Sequence, residues 1–354
     1  MFPKMPDATT RPTRRVFMGT ATLGAAALVS GLPRRSLLAA GAAPDSFNVA
    51  FFLATHPTML AKGQGMFDKM SGAKITWSEV GSGAEINTAV VAGSVDLGIG
   101  IGSSPTAAGL SQKIPYEVVA MSDNIGPAED LVVRTAANIK GPADLRGKKV
   151  AVPFGSTSHF RLLGLLKETG LTERDVTVLD LKPDAQVAAW IRGDIDAAYV
   201  WNPARTKMRE AGGMALPTWK ELDAKGYVIA DLIVARTAFS KQYPDVVTGF
   251  LKAHGESLDA WRAKPDETAA VVAKEVGVTP EVAKHDMGDY DFIALKDQLG
   301  EDWLGSAGKP GRVADVLKRT ADFLVEQKSI RSAPGLEAFR AGINTTFIEQ
   351  ALKA

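Results

Sequence analysis

The sequence predicts an α/β protein of two lobes, each a doubly wound sheet covered by helices, with a helical region at the C-terminal end. Three observations predict it. From Phe47 onward, short runs of strand-forming residues alternate with helical patterns, the signature of parallel sheets covered on both faces. Three strand ends run into turns built from glycine and serine. One strand is also written twice, as Glu-Asp-Leu-Val-Val-Arg-Thr at 129–135 and Asp-Leu-Ile-Val-Ala-Arg-Thr at 231–237.

The elements follow in order. Strands are expected at 47–53, 74–80, 95–101, 116–121, 131–134, 148–153, 176–181, 197–200, 215–217 and 232–235, from their β-branched and aromatic runs bounded by turn residues. Helices are expected between them at 57–69, 84–92, 105–112, 158–169 and 184–192. After Phe239 the pattern is almost wholly helical, at 244–263, 266–275, 280–287, 310–327 and 335–350. The repeated strand brackets residues 136–230, which carry their own strand–helix alternation. The natural arrangement is one lobe inserted into the other. Lobe 1 comprises 43–130 plus 236–354, lobe 2 comprises 131–235, and two antiparallel hinge strands near 129–135 and 231–237 join them.

Composition narrows the function. Of the 354 residues, 45% are hydrophobic and 23% charged, ordinary for a soluble globular protein. The net charge of +1 conceals an uneven distribution, because residues 1–42 hold six Lys and Arg against one Asp. Without that segment the chain is mildly acidic, and no basic face argues for nucleic acid. The segment reads as an export signal. Thr13-Arg14-Arg15-Val16-Phe17-Met18 is a twin-arginine pattern, a weakly apolar run follows, and Ala40-Gly41-Ala42 offers small residues for cleavage before Ala43. The run is too short and too rich in Gly, Ala and Thr for a membrane anchor. There is no cysteine, which excludes disulfides, thiolate chemistry, cysteine–metal sites and a lipidated N-terminal cysteine. A protein free in the periplasm is expected.

The three turns are Gly81-Ser82-Gly83, Gly102-Ser103-Ser104-Pro105 and Gly155-Ser156-Thr157-Ser158. Each joins the C-terminal end of a strand to the first turn of a helix, where open α/β sheets bind ligands. Free backbone N–H groups and the positive end of the helix dipole favour an anion there. Serine at such a place also serves as an ordinary N-cap. None of the turns is a P-loop or a Gly-x-Gly-x-x-Gly, so a nucleotide is not indicated, and no cofactor or metal is expected. Glu129 and Asp231 open the two hinge strands and are expected to face one ligand, an arrangement that needs a cation or a proton to offset it. Anion turns on one side and acids on the other imply a small zwitterion. Trp201, in Ala198-Tyr199-Val200-Trp201-Asn202-Pro203-Ala204, is expected to cover an alkyl chain or an ammonium group. Phe51 and Phe52 are candidates for the opposite wall, and Trp190 reads as core.

These residues carry a family resemblance over nearly all of 47–350. The pieces are Ser82-Gly83-Ala84, Gly102-Ser103-Ser104-Pro105, Glu129 in Ala-Glu-Asp-Leu-Val-Val, Ala151 through His159, the block from Ala188 to Trp201, and Asp231. The chain resembles the periplasmic substrate-binding proteins of ABC importers for taurine and related alkanesulfonates. The resemblance implies the periplasmic-binding-protein fold, closing on its ligand, and a monomer that delivers it to a membrane permease. It implies sulfonate contacts at Ser82, Ser103, Ser104, Ser156 and Thr157, amine contacts at Glu129 and Asp231, and an aromatic wall at Trp201. The loop Leu53-Ala54-Thr55-His56-Pro57 departs from the expected pattern. His56 either touches the ligand or caps the first helix, and His159 supports the sulfonate turn from behind. Other small anions or zwitterions remain alternatives, namely an aliphatic sulfonate, an aminophosphonate or a nitrate-like ion. An enzyme on the same fold is a further alternative, though the four histidines and the missing cysteine offer no Ser–His–Asp order or metal-ligand spacing.

Overall fold

The computed structural model describes residues 43–353. The arginine-rich leader and its cleavage site lie outside the described residues.

Ten strands make two five-stranded sheets: β1 (Ser46–Phe51), β2 (Lys74–Glu79), β3 (Leu97–Gly102), β4 (Tyr116–Asp123), β5 (Glu129–Arg134), β6 (Lys149–Val152), β7 (Thr177–Asp180), β8 (Ala197–Trp201), β9 (Gly213–Leu216) and β10 (Asp231–Arg236). The first sheet has the order β2-β1-β3-β10-β4 and the second β7-β6-β8-β5-β9. Both sheets are therefore mixed. β1 pairs parallel with β2 and β3, and β6 pairs parallel with β7 and β8. β10 runs antiparallel to β3 and β4, and β5 runs antiparallel to β8 and β9.

This explains the repeated strand. β5 opens the second sheet and β10 belongs to the first, so residues 129–130 go with the second sheet and 231–235 with the first. Each occupies the same fourth place in its own sheet, where it is the one antiparallel member. The chain leaves the first sheet after β4 and opens the second with β5. It leaves the second after β9 and closes the first with β10. Both copies are central strands buried on two faces, which is why both read as unbroken apolar runs. Leu131, Val132, Val133, Leu232, Ile233, Val234 and Ala235 are all fully buried.

Differences in the helices have local causes. The helix expected over 57–69 is two, Thr58–Gly63 and Met66–Ser71, because Gly65 between them adopts φ +63°, a conformation that ends a helix. The last expected helix also splits, into Leu336–Ala341 and Thr346–Ala351. Between the halves, Val118 of β4 donates its N–H to Gly342 and accepts from the N–H of Asn344. The C-terminal segment thereby covers the open edge of the first sheet. The helix Pro244–Ala263 packs Val247, Phe250 and Leu251 into the core of the first sheet. Trp190 is fully buried in the second lobe, with the Arg134 guanidinium 4.5 Å from its ring.

Candidate functional site

The C-terminal ends of both sheets converge on one cavity. Its lining includes Gly83, Gly102 and Thr157 from the three Gly-Ser turns, Asp123, Glu129 and Asp231 from β4, β5 and β10, and the rings of Phe51, Phe52, Trp201 and Tyr290. The cavity volume is about 50 Å³, enough for a guest of a few heavy atoms and too small for a sugar chain, a peptide or a nucleotide. The lobes touch around it. The Phe52 and Trp201 rings meet edge-on with centroids 5.9 Å apart. Lys182 of the second lobe pairs with Glu85 of the first at 2.9 Å. Farther back, Asn202 Nδ2 and Arg205 Nη1 donate to Asp289 Oδ2 at 3.0 and 2.9 Å, and Thr206 Oγ1 donates to Asp286 Oδ1 at 2.6 Å.

Part of the cavity lining is acidic. Glu129 is 1% exposed and sits beside Trp201 in the β5–β8 register. Thr157 Oγ1 donates to its Oε2 at 2.7 Å, while Oε1 is buried with no partner. Burial pushes the Glu129 carboxyl up to about 7, with Arg161 and the Thr157 hydroxyl pulling in the opposite direction. Asp231 is partly exposed and faces the cavity. Its carboxyl is held well above the usual carboxylate range by the protein packed around it, then by the neighbouring charges of Asp123 and Glu129. Asp231 and Asp123 are register partners on adjacent antiparallel strands. Asp123 is 1% exposed, its Oδ2 lies 3.3 Å from His56 Nε2, and its Oδ1 has no partner.

Helix starts line the same space. The helices Gly83–Val91, Ser103–Ser111 and Thr157–Glu168 all begin at the cleft. A Cβ on Gly102 would lie 2.4 Å from Thr157 Cγ2, and one on Gly155 would lie 3.1 Å from Ala84 Cβ. The start of Thr157–Glu168 thus meets both of the other starts across the gap. The Ser103, Gly155 and Ser156 N–H groups are already bonded within the protein, so an anion there relies on the dipole ends and on first-turn N–H groups that a helix leaves without intrahelical partners. Cation acceptors and helix-start donors share one small aromatic-walled space, with Thr157 donating to Glu129 and the position of a Cβ on Gly102 3.5 Å from Asp231 Oδ1, and both kinds of group suit a short zwitterion. No lysine or arginine lines the cavity.

Comparison with known proteins agrees with this architecture. A protein-family model described as "NMT1/THI5 like" matches residues 54–268. The chain belongs to the NMT1/THI5-like family. It is 35% identical over 288 residues to the "Taurine-binding periplasmic protein" of Escherichia coli (strain K12), covering 80% of this chain and 87% of that one. It is 26% identical over 303 residues to a "Putative aliphatic sulfonates-binding protein" of Bacillus subtilis (strain 168), covering 84% and 85%. Among solved structures, the alkanesulfonate-binding protein SsuA from Xanthomonas axonopodis pv. citri bound to MOPS superposes with a TM-score of 0.72 over 86% of this chain and all of that one. At 22% identity that likeness concerns the fold, which is the two-lobed α/β fold of periplasmic binding proteins.

Within this NMT1/THI5-like fold the residues singled out from sequence separate into groups. Glu129, Asp231, Trp201, Ser156, Thr157 and His56 line the cavity, as do Phe51 and Phe52. Ser82, Ser103, Ser104 and His159 are not part of its lining. Ser103 is tied to Ala230, donating its N–H to Ala230 O and accepting from Ala230 N at its Oγ. Ser104 and His159 border a separate groove on the far side of the same helix starts. His159 Nδ1 accepts from Gly155 N–H at 3.3 Å, and its ring stacks on Phe154 at 4.6 Å, so it braces the turn. Ser156 caps its helix by accepting from His159 N–H and donating to Pro153 O. His56 accepts from Thr58 N–H at 2.9 Å at the start of the first helix and borders the cavity. Sequence reading missed Asp123, Ser122 and Tyr290, all of which line the cavity. The available signal for Asp123 was an acid closing a strand six residues before Glu129.

Proposed function

We propose that the protein is the periplasmic solute-binding component of an ABC importer and that it captures taurine or a closely related short aminoalkanesulfonate. The observation that carries this reading is that Glu129 and Asp231, from opposite lobes, line one small cavity together with residues from three helix starts. An ammonium group between the acids supplies the cation that two close carboxylates require. A sulfonate at the helix starts takes charge-assisted hydrogen bonds from backbone N–H groups, since the Ser156 and Thr157 hydroxyls already donate to Pro153 O and Glu129 Oε2. Trp201 and Phe52 cover the two-carbon bridge. Closure follows from the ligand's higher affinity for the closed form, and the closed surface is what a membrane permease would receive. No covalent step belongs to this reading, in which the protein acts as a monomer.

Location in the periplasm is supported by the name of the E. coli relative and by the twin-arginine pattern at 13–18. No helix among the described residues is long and apolar enough to cross a membrane. A second reading takes an aliphatic sulfonate without an amine as cargo, and the B. subtilis relative's name favours it. The acids at the cavity argue against it.

Titration calorimetry on the purified protein distinguishes the two. Taurine binds, and Asp231→Asn weakens it by at least tenfold, about 1.4 kcal/mol, while isethionate, with a hydroxyl in place of the amine, is unaffected. Equal loss for both ligands removes the amine-pairing role. Incubation with taurine followed by mass spectrometry yields no new product; one that appeared would return the enzyme reading.

A further inference from the structure

A second cluster of ligating groups lies where the lobes meet, outside the cavity. The helix Pro280–Met287 carries His285 and Asp286 in its last turn. Asp289 follows Gly288 and donates its N–H to Asp286 O at 3.2 Å, a turn that folds it back beside Asp286. Among the described residues, His285, Asp286 and Asp289 are the one group of three His, Asp or Glu that offers ligand atoms all within 4.8 Å of one another. None of the three lines the cavity.

Asp286 is left incomplete by the contacts between the lobes. It is 0% exposed. Its Oδ1 accepts from Thr206 Oγ1 at 2.6 Å, and its Oδ2 is buried with no partner. Arg205 and Asn202 both donate to Asp289 Oδ2, which offsets the charge of Asp289 and leaves that of Asp286. Among the described residues the one basic side chain beside Asp286 is His285. A buried carboxylate in this condition is costly unless a cation or a metal ion meets it. The bridge between the lobes thus accounts for Asp289 and for one oxygen of Asp286. It accounts neither for the other oxygen nor for His285.

The His285 ring is 60% exposed. It borders an open groove with Thr206, Arg209, Glu210 and Glu281, so an ion can reach it from solvent. Its Nδ1 stands 3.4 Å from Asp286 Oδ1, long for a hydrogen bond. Zinc–ligand distances of about 2.0–2.2 Å at tetrahedral angles put neighbouring ligand atoms about 3.3–3.6 Å apart. The pair already has that spacing. One imidazole nitrogen with two carboxylates suits zinc and its first-row neighbours, whereas magnesium and calcium take oxygen ligands.

We propose that His285, Asp286 and Asp289 form a site for a divalent transition-metal ion such as zinc, with Thr206 of the second lobe holding the Asp286 carboxylate in place. This departs from the expectation of no metal, because two of the three ligands are acids that the spacing of histidines does not reveal. The site goes beyond the function proposed above and does not rest on it.

Calorimetric titration of the purified, untagged protein with zinc chloride tests the proposal. One ion binds per chain, in the micromolar range, and excess magnesium does not displace it. His285→Ala weakens zinc by at least tenfold and leaves the melting temperature of the zinc-free protein unchanged, because the ring is mostly in solvent. Thr206→Val removes the donor to Asp286 and weakens zinc by about tenfold, within the range that hydrogen bonds to metal ligands contribute. Asp231→Asn leaves zinc affinity as it is, which separates this site from the acids of the cavity. Zinc binding that His285→Ala does not change, or that Asp231→Asn abolishes, puts the ion elsewhere and overturns the inference. So does the absence of binding below millimolar zinc. Full zinc affinity in Thr206→Val overturns the role of Thr206.

Discussion

Phe52 and Trp201 come from different sheets, yet their rings meet edge-on with centroids 5.9 Å apart over the cavity. Phe52 follows β1 directly, and Trp201 ends β8 as the register partner of Glu129. The contact can exist only while the two lobes are together, so it belongs to the closed form. Aromatic pairs of this geometry add about 0.5–1.5 kcal/mol beyond the area they bury. Trp201→Ala is expected to weaken taurine by tenfold or more, chiefly through faster release, and Trp201→Phe to recover part of the loss. Stopped-flow dissociation reads this directly. A slower association with unchanged release would assign the ring to entry rather than to closure.

Proton linkage follows from the same cavity. The groups facing one another there are Glu129, Asp123, Asp231, His56 and Tyr290, with Arg161 behind Glu129. In the empty protein Glu129 is raised to about 7 by burial, and Asp231 is raised by burial and its acidic neighbours. A carboxyl with a raised folded-state pKa is stabilising while protonated. Its contribution is complete below the ordinary carboxylate range and is lost as the pH climbs through the folded value. An ammonium ligand reverses this by favouring the charged acids. Binding should therefore release protons near neutral pH, and taurine affinity should rise between about pH 5 and about pH 8. His254, lowered to about 3 by burial and by His56, has the opposite sign, losing stability as the pH falls, and it contributes equally with and without ligand. Calorimetry in two buffers of different ionisation enthalpy counts the protons. Proton uptake, or tighter binding at the acid end, contradicts the assignment.

A second set of contacts lies behind the aromatic pair. Arg205 is 7% exposed and donates to Asp289 Oδ2 at 2.9 Å, alongside Asn202 at 3.0 Å. Asp289 follows the helix Pro280–Met287, whose Ala283 and Met287 pack with Phe51 and Met59 of the first lobe. The bridge therefore joins the lobes. Removing one partner of a buried pair leaves the other charge uncompensated. Arg205→Met should shift the empty protein toward the open form and weaken taurine several-fold. Small-angle scattering then shows a larger radius of gyration without ligand that contracts when taurine is added. An unchanged radius in the empty variant would mean that the bridge does not favour closure.

Much of this was legible in the chain because the decisive features are local. Strand–helix alternation gave two α/β lobes, and an acid opening each copy of one strand gave Glu129 and Asp231. Sheet order was less accessible, since nothing within 129–135 or 231–237 says which strands flank it. The antiparallel direction of both copies follows from where the chain crosses, a tertiary fact. The helices Ala204–Glu210, Trp219–Ala224 and Thr237–Gln242 were missed because six or seven residues give periodicity too little length. Serine was over-read. At the start of a helix its hydroxyl is as easily engaged by the protein as offered to a ligand, and Ser103 and Ser156 are engaged. Asp123 was under-read, because an acid at a strand end looks like any turn residue until its register partner proves to be Asp231.

Gly102 offers a test of closure that leaves every polar group in place. Its backbone is ordinary, with φ −61°, so conformation does not require glycine there. Space does, since a Cβ would stand 2.4 Å from Thr157 Cγ2, reaching from the other lobe. The other atoms near that position, Asp231 Oδ1 and Pro105 Cδ, would be 3.5 Å away, ordinary contacts. Gly102→Ala should hold the lobes apart by the width of one methyl group, weaken taurine by tenfold or more, and leave the melting temperature of the empty protein nearly unchanged. Thr157→Ser removes the opposing methyl and keeps the hydroxyl that donates to Glu129 Oε2. In the double variant taurine affinity should return toward that of Thr157→Ser alone, giving a large non-additive coupling in the mutant cycle. Additive losses would mean that these two helix starts do not meet when the ligand is bound, and their part in closure would need to be redrawn.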